Sequence, residues 1–373
     1  MLKGSEVMDD CDYHIEGIDI DDPVVSIVLP TFNSSRTINK SIDSMINQSF
    51  KKWELIVIND YGSDDGTADI VRDYINKDSR VKMIQSHTRI GLADSLNLGI
   101  RLSKGKYIAR MDSDDFSLPK RLEKQLKLME NDESIGICGT WQLHTGVDEW
   151  VHKAAKNDEK CRAHLLFWCD LCHSTLMLRK DVFISNNLFY DNNYKAEDFE
   201  LWTRAMRVTR ITNIPKVLGV YSETGGITNA KLDELSHENG LIVSNNLRYY
   251  FDIKLSDDEK HLFDQWNYSL RNDENKDEKL SNLERILRDI SIKNDERKAF
   301  GKRELLESIA NVWYKSKYDS NIGDRIIFAP KNIDQVFDDS YISSRIVKYR
   351  VYSRNNTGIA ARIKGFFKII IAP

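Results

Sequence analysis

The feature that most constrains the fold is an alternation of apolar, β-rich runs with helical segments along the first 230 residues. The runs VVSIVLP (24–30), WELIVIND (53–60) and IGICGTW (135–141) have the composition of buried strands. The segments between them carry apolar residues at helical spacing: Ile38, Ile42, Met45 and Ile46 in one, and Leu92, Leu96 and Ile100 in another. This order predicts βαβ units, and therefore an α/β fold with a mostly parallel sheet flanked by helices.

The chain of 373 residues is long enough for two domains. We expect a leader at 1–23, an α/β domain at 24–230 and a mainly helical domain at 231–373. The β-rich runs fade beyond residue 230, and two apolar helical stripes follow there: Leu280, Leu283, Ile286, Leu287 and Ile290, then Leu305, Leu306, Ile309, Val312 and Trp313.

The charge distribution argues against nucleic acid as a partner. The net charge is −4, while residues 341–373 hold seven Lys or Arg and no Asp or Glu, so the remainder carries −11. Phosphate contacts need a basic face, which an acidic body lacks. The N-terminus lacks the apolar run of a signal peptide, and no run approaches the length of a membrane-spanning helix. With five cysteines, an odd number, we expect reduced thiols and a cytoplasmic location.

The tail AARIKGFFKIII (360–371) mixes basic and apolar residues. Such a segment can lie on an anionic bilayer, which would put the protein at the inner face of the cell membrane as a peripheral protein. It can equally be a terminal helix packed on its own domain. Both interpretations stay open on the sequence.

Aspartates follow the apolar run that ends at Met111. If 107–111 is a core strand, Asp112 and Asp114 emerge at its carboxyl end, where folds of this class bind ligands. Residues i and i+2 of an extended segment point the same way, so both carboxylates can face one site, and Mg²⁺ or Mn²⁺ bridging to a phosphate suits such oxygens. The tripeptide Ser-Asp-Asp occurs three times in the chain, so a polar turn is the alternative.

Two more acidic positions follow the same logic. Asp60 ends the run WELIVIND, where an acceptor can take an N–H of a nucleobase or a ribose hydroxyl; an Asx-turn is the alternative. Glu197 and Asp198 open an amphipathic segment, so we expect them at a helix N-terminus, where the dipole favours ionised carboxylates. Helix capping is the alternative there.

The motif CDLCH (169–173), with Cys161 and His164 nearby, matches haem attachment and hints at zinc. Haem attachment needs export, for which the sequence has no signal. Core packing explains the apolar segment around His164, so we assign no metal to it.

Four segments together resemble the family 2 glycosyltransferases with the GT-A fold, across residues 24–222. They are, in order, VSIVLPTFN (25–33), ELIVINDYGSDDGT (54–67), GLADSLNLGIRLSKGKYIARMDSDD (91–115) and AEDFELWTR (196–204). The resemblance implies a Rossmann-like catalytic domain and an enzyme that transfers a sugar from a nucleotide sugar, here expected to be a UDP-sugar.

The resemblance also implies residue roles. Pro30, Thr31, Asn33, Asp60 and Asp112 would bind the nucleotide. Asp114 would be the metal ligand of the DxD motif, and Asp198 the catalytic base. Glu197, His173 and Trp202 would contact the acceptor or support the site.

The implied reaction is an inverting, metal-dependent transfer to a hydroxyl of a glycan or lipid-linked acceptor, in the synthesis of a surface polysaccharide such as capsule or O-antigen. A divalent cation neutralises the departing diphosphate, and one carboxylate deprotonates the acceptor. The sequence departs from the family pattern at Tyr61, inserted between Asp60 and Gly62, and at Arg89, in place of the usual asparagine. The alternatives are a sugar-nucleotide nucleotidyltransferase and a non-catalytic nucleotide-sugar-binding scaffold.

Overall fold

A computed structural model describes residues 12–146, 149–222, 232–264, 270, 273–317 and 330–338. The chain divides into two compact units. The first comprises residues 1–156 and 171–225, and the second comprises residues 157–170 and 226–373. The sequence analysis placed residues 24–230 in one domain; the structure differs in assigning 157–170 to the second unit. Nothing in the local pattern of that segment distinguishes the two assignments, because its partners are distant in sequence.

The first unit is built on one sheet. Its strands are β1 (Tyr13–Glu16), β2 (Val25–Thr31), β3 (Trp53–Asn59), β4 (Val81–Ser86), β5 (Tyr107–Arg110), β6 (Phe116–Ser117), β7 (Ile135–Thr145), β8 (Trp150–His152), β9 (Met177–Arg179) and β10 (Arg210–Ser222). Their order is β1-β4-β3-β2-β5-β9-β7-β10-β6, with β8 paired to β7.

The sheet is mostly parallel, as predicted. Strands β4, β3, β2 and β5 are parallel neighbours, and β7 and β10 are parallel to each other. Since β9 is antiparallel to both β5 and β7, these two strands run the same way. The carboxyl ends of β2, β3, β5, β7 and β10 therefore share one edge of the sheet.

Helices of the first unit are α1 (Ile38–Ile46), α2 (Thr67–Lys77), α3 (Gly91–Leu102), α4 (Arg121–Asn131), α6 (Lys180–Ser185) and α7 (Glu197–Ala205), with a 3₁₀ turn at His173–Thr175. The predicted apolar face of α1 is buried at Ile38, Ile42 and Met45. In α3, Leu96 and Ile100 are buried, whereas Leu92 is exposed. Leu92 lies in the first turn, beside the edge where the parallel strands end.

Part of the predicted leader is structured. Residues 13–16 form β1, which pairs antiparallel with β4 at the edge of the sheet. Hydrogen bonds to a strand that is distant in sequence order these residues. The segment itself is acidic and only weakly apolar, so its sequence gave no local indication of a strand.

The second unit is helical, with α5 (Asp158–Leu165), α8 (Leu232–Phe251), α9 (Asp257–Asp264), α10 (Lys276–Arg297), α11 (Lys302–Lys317) and α12 (Ile333–Phe337). Both apolar stripes recognised in the sequence are buried, in α10 and α11. The helices whose residues are described include none with the length and apolar character needed to cross a bilayer. The basic tail at 360–371 lies outside the described residues.

Candidate active site

An acidic loop, residues 112–115, follows β5 at the carboxyl edge of the sheet. Its backbone is held by α1, because the hydroxyl of Ser41 donates to the carbonyl oxygens of Asp112 (3.0 Å) and Asp115 (2.6 Å). Ser113 hydrogen-bonds Ser34 through their hydroxyls at 2.8 Å, which ties the loop after β2 to this one. The predicted strand and the predicted emergence of the acids are thus both present.

The acids of this loop have different surroundings. Asp115 is buried and accepts hydrogen bonds from the hydroxyl of Ser174, from Gln142 Nε2 (3.3 Å) and from the Ser222 N–H (3.3 Å). Its burial and the charge of Asp112 raise the pKa of its carboxyl to about 8. Burial, and then the charge of Asp112, also raise the pKa of Asp114. A cation at this loop would therefore be favourable.

Arg110, the last residue of β5, is buried beneath the loop and forms an ion pair with Asp112 at 2.5 Å. Asp112 keeps 31% of its side chain exposed, so it can still meet a ligand. The Nε of Arg110 also lies 3.4 Å from Nε2 of His173. A charged residue within a core strand requires such partners.

Glu197 and Asp198 occupy the first turn of α7, as the sequence predicts. The Phe199 N–H donates to Asp198 Oδ1 at 2.7 Å. Burial and the neighbouring Asp198 raise the pKa of Glu197, which also senses the charges of Arg110 and Asp112. Trp202 of α7 packs against His173, which lies 3.4 Å from Arg110, so α7 and the strand that precedes the acidic loop meet at this contact.

Tyr190 lies between these groups. Its hydroxyl is 2.8 Å from His173 Nε2. Burial raises the pKa of Tyr190 well above its usual value, and the charge of Arg110 opposes this increase. Burial, and then Arg110, lower the pKa of His173 well below its usual range, so the imidazole is neutral. Trp202 is fully buried and packs edge-on against both His173 and Tyr190. Trp202 therefore supports this cluster from inside the fold.

The predicted nucleotide residues lie at the ends of β2 and β3. Pro30 and Thr31 end β2 and are buried, and the Thr31 hydroxyl has no hydrogen-bond partner within the described part of the chain. Asn33 is exposed with a positive φ of 49°, and its side-chain oxygen accepts the Asp64 N–H at 3.0 Å.

Asp60, whose predicted contact with the nucleotide stays a prediction, is bonded within the protein. Its carboxylate accepts the backbone N–H groups of Tyr61 (2.8 Å), Ile90 (2.9 Å) and Gly91 (3.0 Å), and it pairs with Arg89 Nε at 3.1 Å. It therefore anchors the start of α3. The two departures from the family pattern, Tyr61 and Arg89, are both partners of Asp60, and the Arg89 guanidinium stacks 3.5 Å from the Phe32 ring centroid.

The acidic loop fits a divalent cation shared with a diphosphate. Within the described residues, no group of three or more His, Cys, Asp or Glu is arranged to enclose a metal by itself. Asp112 and Asp114 supply hard oxygen ligands, and Mg²⁺ or Mn²⁺ commonly takes one or two carboxylates with phosphate and water. Burial, and then the charge of Asp112, raise the pKa of Asp114, and a cation would offset the second of these causes.

Arg110 and Tyr190 are site residues that the sequence analysis did not assign. The signal for Arg110 was visible as the only charged residue of the run YIAR. Tyr190 gave no local signal; it is fixed through Asn97 of α3, whose amide bonds the backbone N–H and C=O of Tyr190 at 2.8 and 2.9 Å.

The cysteine motif has a structural explanation. Buried His164, in the second unit, hydrogen-bonds Asp170 through Nδ1 at 2.7 Å. Cys161 and Cys172 are buried.

Comparison with known proteins identifies the family. The model of "Glycosyl transferase family 2" matches residues 26–186. An uncharacterized glycosyltransferase of Haemophilus influenzae is 32% identical over 61% of this chain and 74% of its own length. The O-antigen biosynthesis glycosyltransferase WbnJ of Escherichia coli is 32% identical over 49% of this chain and 72% of its own. WfgD of E. coli, named a UDP-Glc:alpha-D-GlcNAc-diphosphoundecaprenol beta-1,3-glucosyltransferase, is 29% identical over 52% and 74%.

Among solved structures, residues 1–349 of Staphylococcus aureus TarS, in complex with UDP, resemble this fold with a TM-score of 0.52. The identity is 17%, and the match covers 83% of this chain and 97% of that one. The GT-A fold expected from the sequence is thereby confirmed. Motifs, fold and relatives agree that the chain belongs to glycosyl transferase family 2.

Proposed function

We propose that the protein is an inverting, metal-dependent transferase that moves a sugar from a UDP-sugar to a hydroxyl of a glycan or lipid-linked acceptor. The observation that carries the proposal is that Arg110 joins the acidic loop to α7: it pairs with Asp112 and contacts His173, against which Trp202 of α7 packs. A transferase needs both sets of acids in one place, because the acidic loop would serve the diphosphate and the acids of α7 would serve the acceptor.

On the donor side, Pro30, Thr31 and Asn33 line the nucleotide pocket, and Asp60 fixes its floor through the start of α3. Asp112 and Asp114 would hold Mg²⁺ or Mn²⁺, which would supply charge neutralisation for the departing diphosphate. Arg110 holds the Asp112 carboxylate in position through their ion pair.

On the acceptor side, Asp198 takes the proton of the attacking hydroxyl. Its position at a helix N-terminus and its bond from the Phe199 N–H favour a carboxylate. Burial, and then the charge of Asp198, raise the pKa of the neighbouring Glu197. A single base opposite the leaving group predicts inversion at the anomeric carbon.

The biological setting is proposed from the relatives. The names of WbnJ and WfgD support surface-polysaccharide synthesis, and that of WfgD supports a UDP-sugar and a lipid-linked acceptor. A cytoplasmic enzyme reaching such an acceptor would work at the inner face of the membrane, with the basic tail as its contact.

The first experiment measures nucleotide release from a panel of UDP-sugars with and without Mn²⁺. We expect release that EDTA abolishes and that Asp114→Ala lowers by at least a hundredfold. Nucleotide binding without turnover for any donor would favour the scaffold. EDTA-resistant release at the wild-type rate would remove the metal from the proposal.

The second experiment tests the base. We expect Asp198→Asn to retain UDP binding and lose transfer by about 10²–10⁴-fold. Asp181→Asn is the matched control, because Asp181 occupies the first turn of α6 as Asp198 does in α7. Transfer by Asp198→Asn at the rate of the control would exclude Asp198 as the base.

A further inference from the structure

Four rings form an aromatic platform at the carboxyl ends of β7 and β10: His144, Trp150, His152 and Tyr221. His144 of β7 pairs directly with Trp150 of β8 on one side and with Tyr221 of β10 on the other. The His144 and Trp150 rings stack with centroids 4.0 Å apart at 26°, and His144 and Tyr221 lie 4.8 Å apart. His152 lies 5.8 Å from Trp150.

The platform adjoins the acidic loop. Gln142, two residues before His144 and therefore on the same face of β7, donates to Asp115 and to Ser174. Ser222, which follows Tyr221, donates its N–H to Asp115. At about 3.3 Å per residue, the His144 ring begins only about 7 Å beyond Gln142.

The strand order places the platform on the side of the acidic loop that is opposite the proposed nucleotide residues. The proposed nucleotide residues end β2 and β3, the acidic loop follows β5, and β7 and β10 lie beyond β9 on the opposite side of β5. A donor that lies over β2 and β3 with its diphosphate at the acidic loop directs its sugar toward β7. The platform therefore lies where the sugar of the acceptor would meet the sugar of the donor.

The chemistry of the platform suits a sugar ring. Trp150 is 43% exposed, so a broad indole face meets solvent on a strand that is otherwise fixed by pairing. Burial, and then His152, lower the pKa of His144 to about 4, so the stack is uncharged at neutral pH. A pyranose has one face of C–H bonds, which packs on an aromatic ring, and a rim of hydroxyls, which imidazole and phenol groups can hydrogen-bond.

We propose that His144, Trp150 and Tyr221 form the surface on which a sugar ring of the acceptor stacks before transfer. This inference rests on the proposed transferase function. It makes Trp150 a determinant of acceptor affinity that has no part in donor binding.

The test begins with binding, so that it does not depend on turnover. Saturation-transfer NMR of the full chain with a panel of methyl and p-nitrophenyl glycosides detects sugar contact, and calorimetry with UDP and Mn²⁺ reports the donor pocket. We expect Trp150→Ala to weaken glycoside binding about tenfold and to leave UDP affinity unchanged. Trp150→Phe, which keeps an aromatic face, should retain most of the binding.

Tyr249→Ala is the control, because Tyr249 is an exposed aromatic residue of the second unit. With any glycoside that is also an acceptor, Trp150→Ala should raise its KM about tenfold without changing the donor KM. Glycoside binding that depends on Trp150 in a chain without transfer would contradict the proposed function but keep the sugar site.

Three results would overturn the inference. They are wild-type glycoside binding by Trp150→Ala, the absence of binding of every glycoside to the wild type, and a changed donor KM in Trp150→Ala. Loss of binding to anionic phospholipid vesicles in Trp150→Ala, with glycoside binding intact, would assign the platform to a membrane surface instead.

Discussion

Replacing Arg110 with methionine removes a buried guanidinium while keeping a side chain of similar length and apolar volume. In the wild type this guanidinium pairs with Asp112 at 2.5 Å and lies within 3.4 Å of His173. Without it, Asp112 and Asp114 lose a neighbouring positive charge, so these two carboxylates repel each other in the absence of metal.

The size of the effect follows from the burial of the pair. Breaking a buried ion pair by removing one partner costs about 3–5 kcal/mol, because the other charge is left uncompensated. Arg110 is 3% exposed, but Asp112 keeps 31% of its side chain in solvent. We therefore expect a loss of about 3 kcal/mol in the free energy of unfolding, the low end of that range. Adding Asp112→Asn should restore part of it, with a coupling energy of about 1–3 kcal/mol.

Denaturation of the wild type, the two single variants and the double variant with guanidinium chloride measures this double-mutant cycle. Because the chain has two units, hydrogen exchange at residues 107–110 gives a readout specific to this sheet. Arg210→Met is the control: the Arg210 ion pair with Asp132 is largely exposed, so its loss should cost less than about 1 kcal/mol. If Arg110→Met is no more destabilising than Arg210→Met, or if the cycle shows no coupling, Arg110 is not the counterion of the acidic loop.

Three further predictions concern single positions. His144→Gln should flatten the pH dependence of stability: the unfolded histidine takes a proton near pH 6.5, and folded His144 resists it down to about pH 4. As the pH is lowered through this window, the free energy of unfolding of the wild type should therefore fall by up to about 1.4 kcal/mol per pH unit relative to the variant. Denaturation of both proteins at pH 4.5–6.5 measures this, and an equal dependence of the free energy on pH would refute it. Gly99→Ala should lower the free energy of unfolding by about 1–3 kcal/mol, because the new Cβ overlaps the Val28 side chain between α3 and β2. Denaturation measures this loss, and a loss equal to that of Leu92→Ala, at an exposed site of α3, would contradict the close approach of α3 to β2. Asp60→Asn should lower the free energy of unfolding by about 1–3 kcal/mol and raise the donor KM, because an amide cannot accept from all three N–H groups that donate to Asp60. The control Asp64→Asn, at an exposed position, should change neither the stability nor the donor KM. Equal effects of the two substitutions would mean that Asp60 does not anchor the start of α3.

Several features of the site were accessible from the sequence because they are local. The run before Asp112 is apolar apart from Arg110 and specifies a core strand, and a strand of a parallel sheet delivers the next residues of the chain to the carboxyl edge. The position of Glu197 and Asp198 in the first turn of α7 likewise follows from the periodicity of the segment that they open. The roles of these acids in catalysis stay predictions.

Other features required the folded chain because their partners are far apart in sequence. The position of Asp60 at a strand end was predicted, but its bonds to residues 89–91, about thirty positions away, were not. Residues 13–16 looked like leader and became a strand only through β4. The aromatic platform joins residues of β7, β8 and β10, and no local pattern predicts that His144 stacks on Trp150.

The sequence by itself determined the α/β alternation, the burial of the helical stripes and the placement of acids at strand ends, since periodicity and strand propensity act over a few residues. Only the tertiary structure decided that β9 separates β5 from β7, that residues 157–170 join the helical unit, and that Arg110 neutralises Asp112. The physical reason is that pairing between distant strands and the compensation of buried charge depend on which groups meet in space, and that is settled only when the whole core closes.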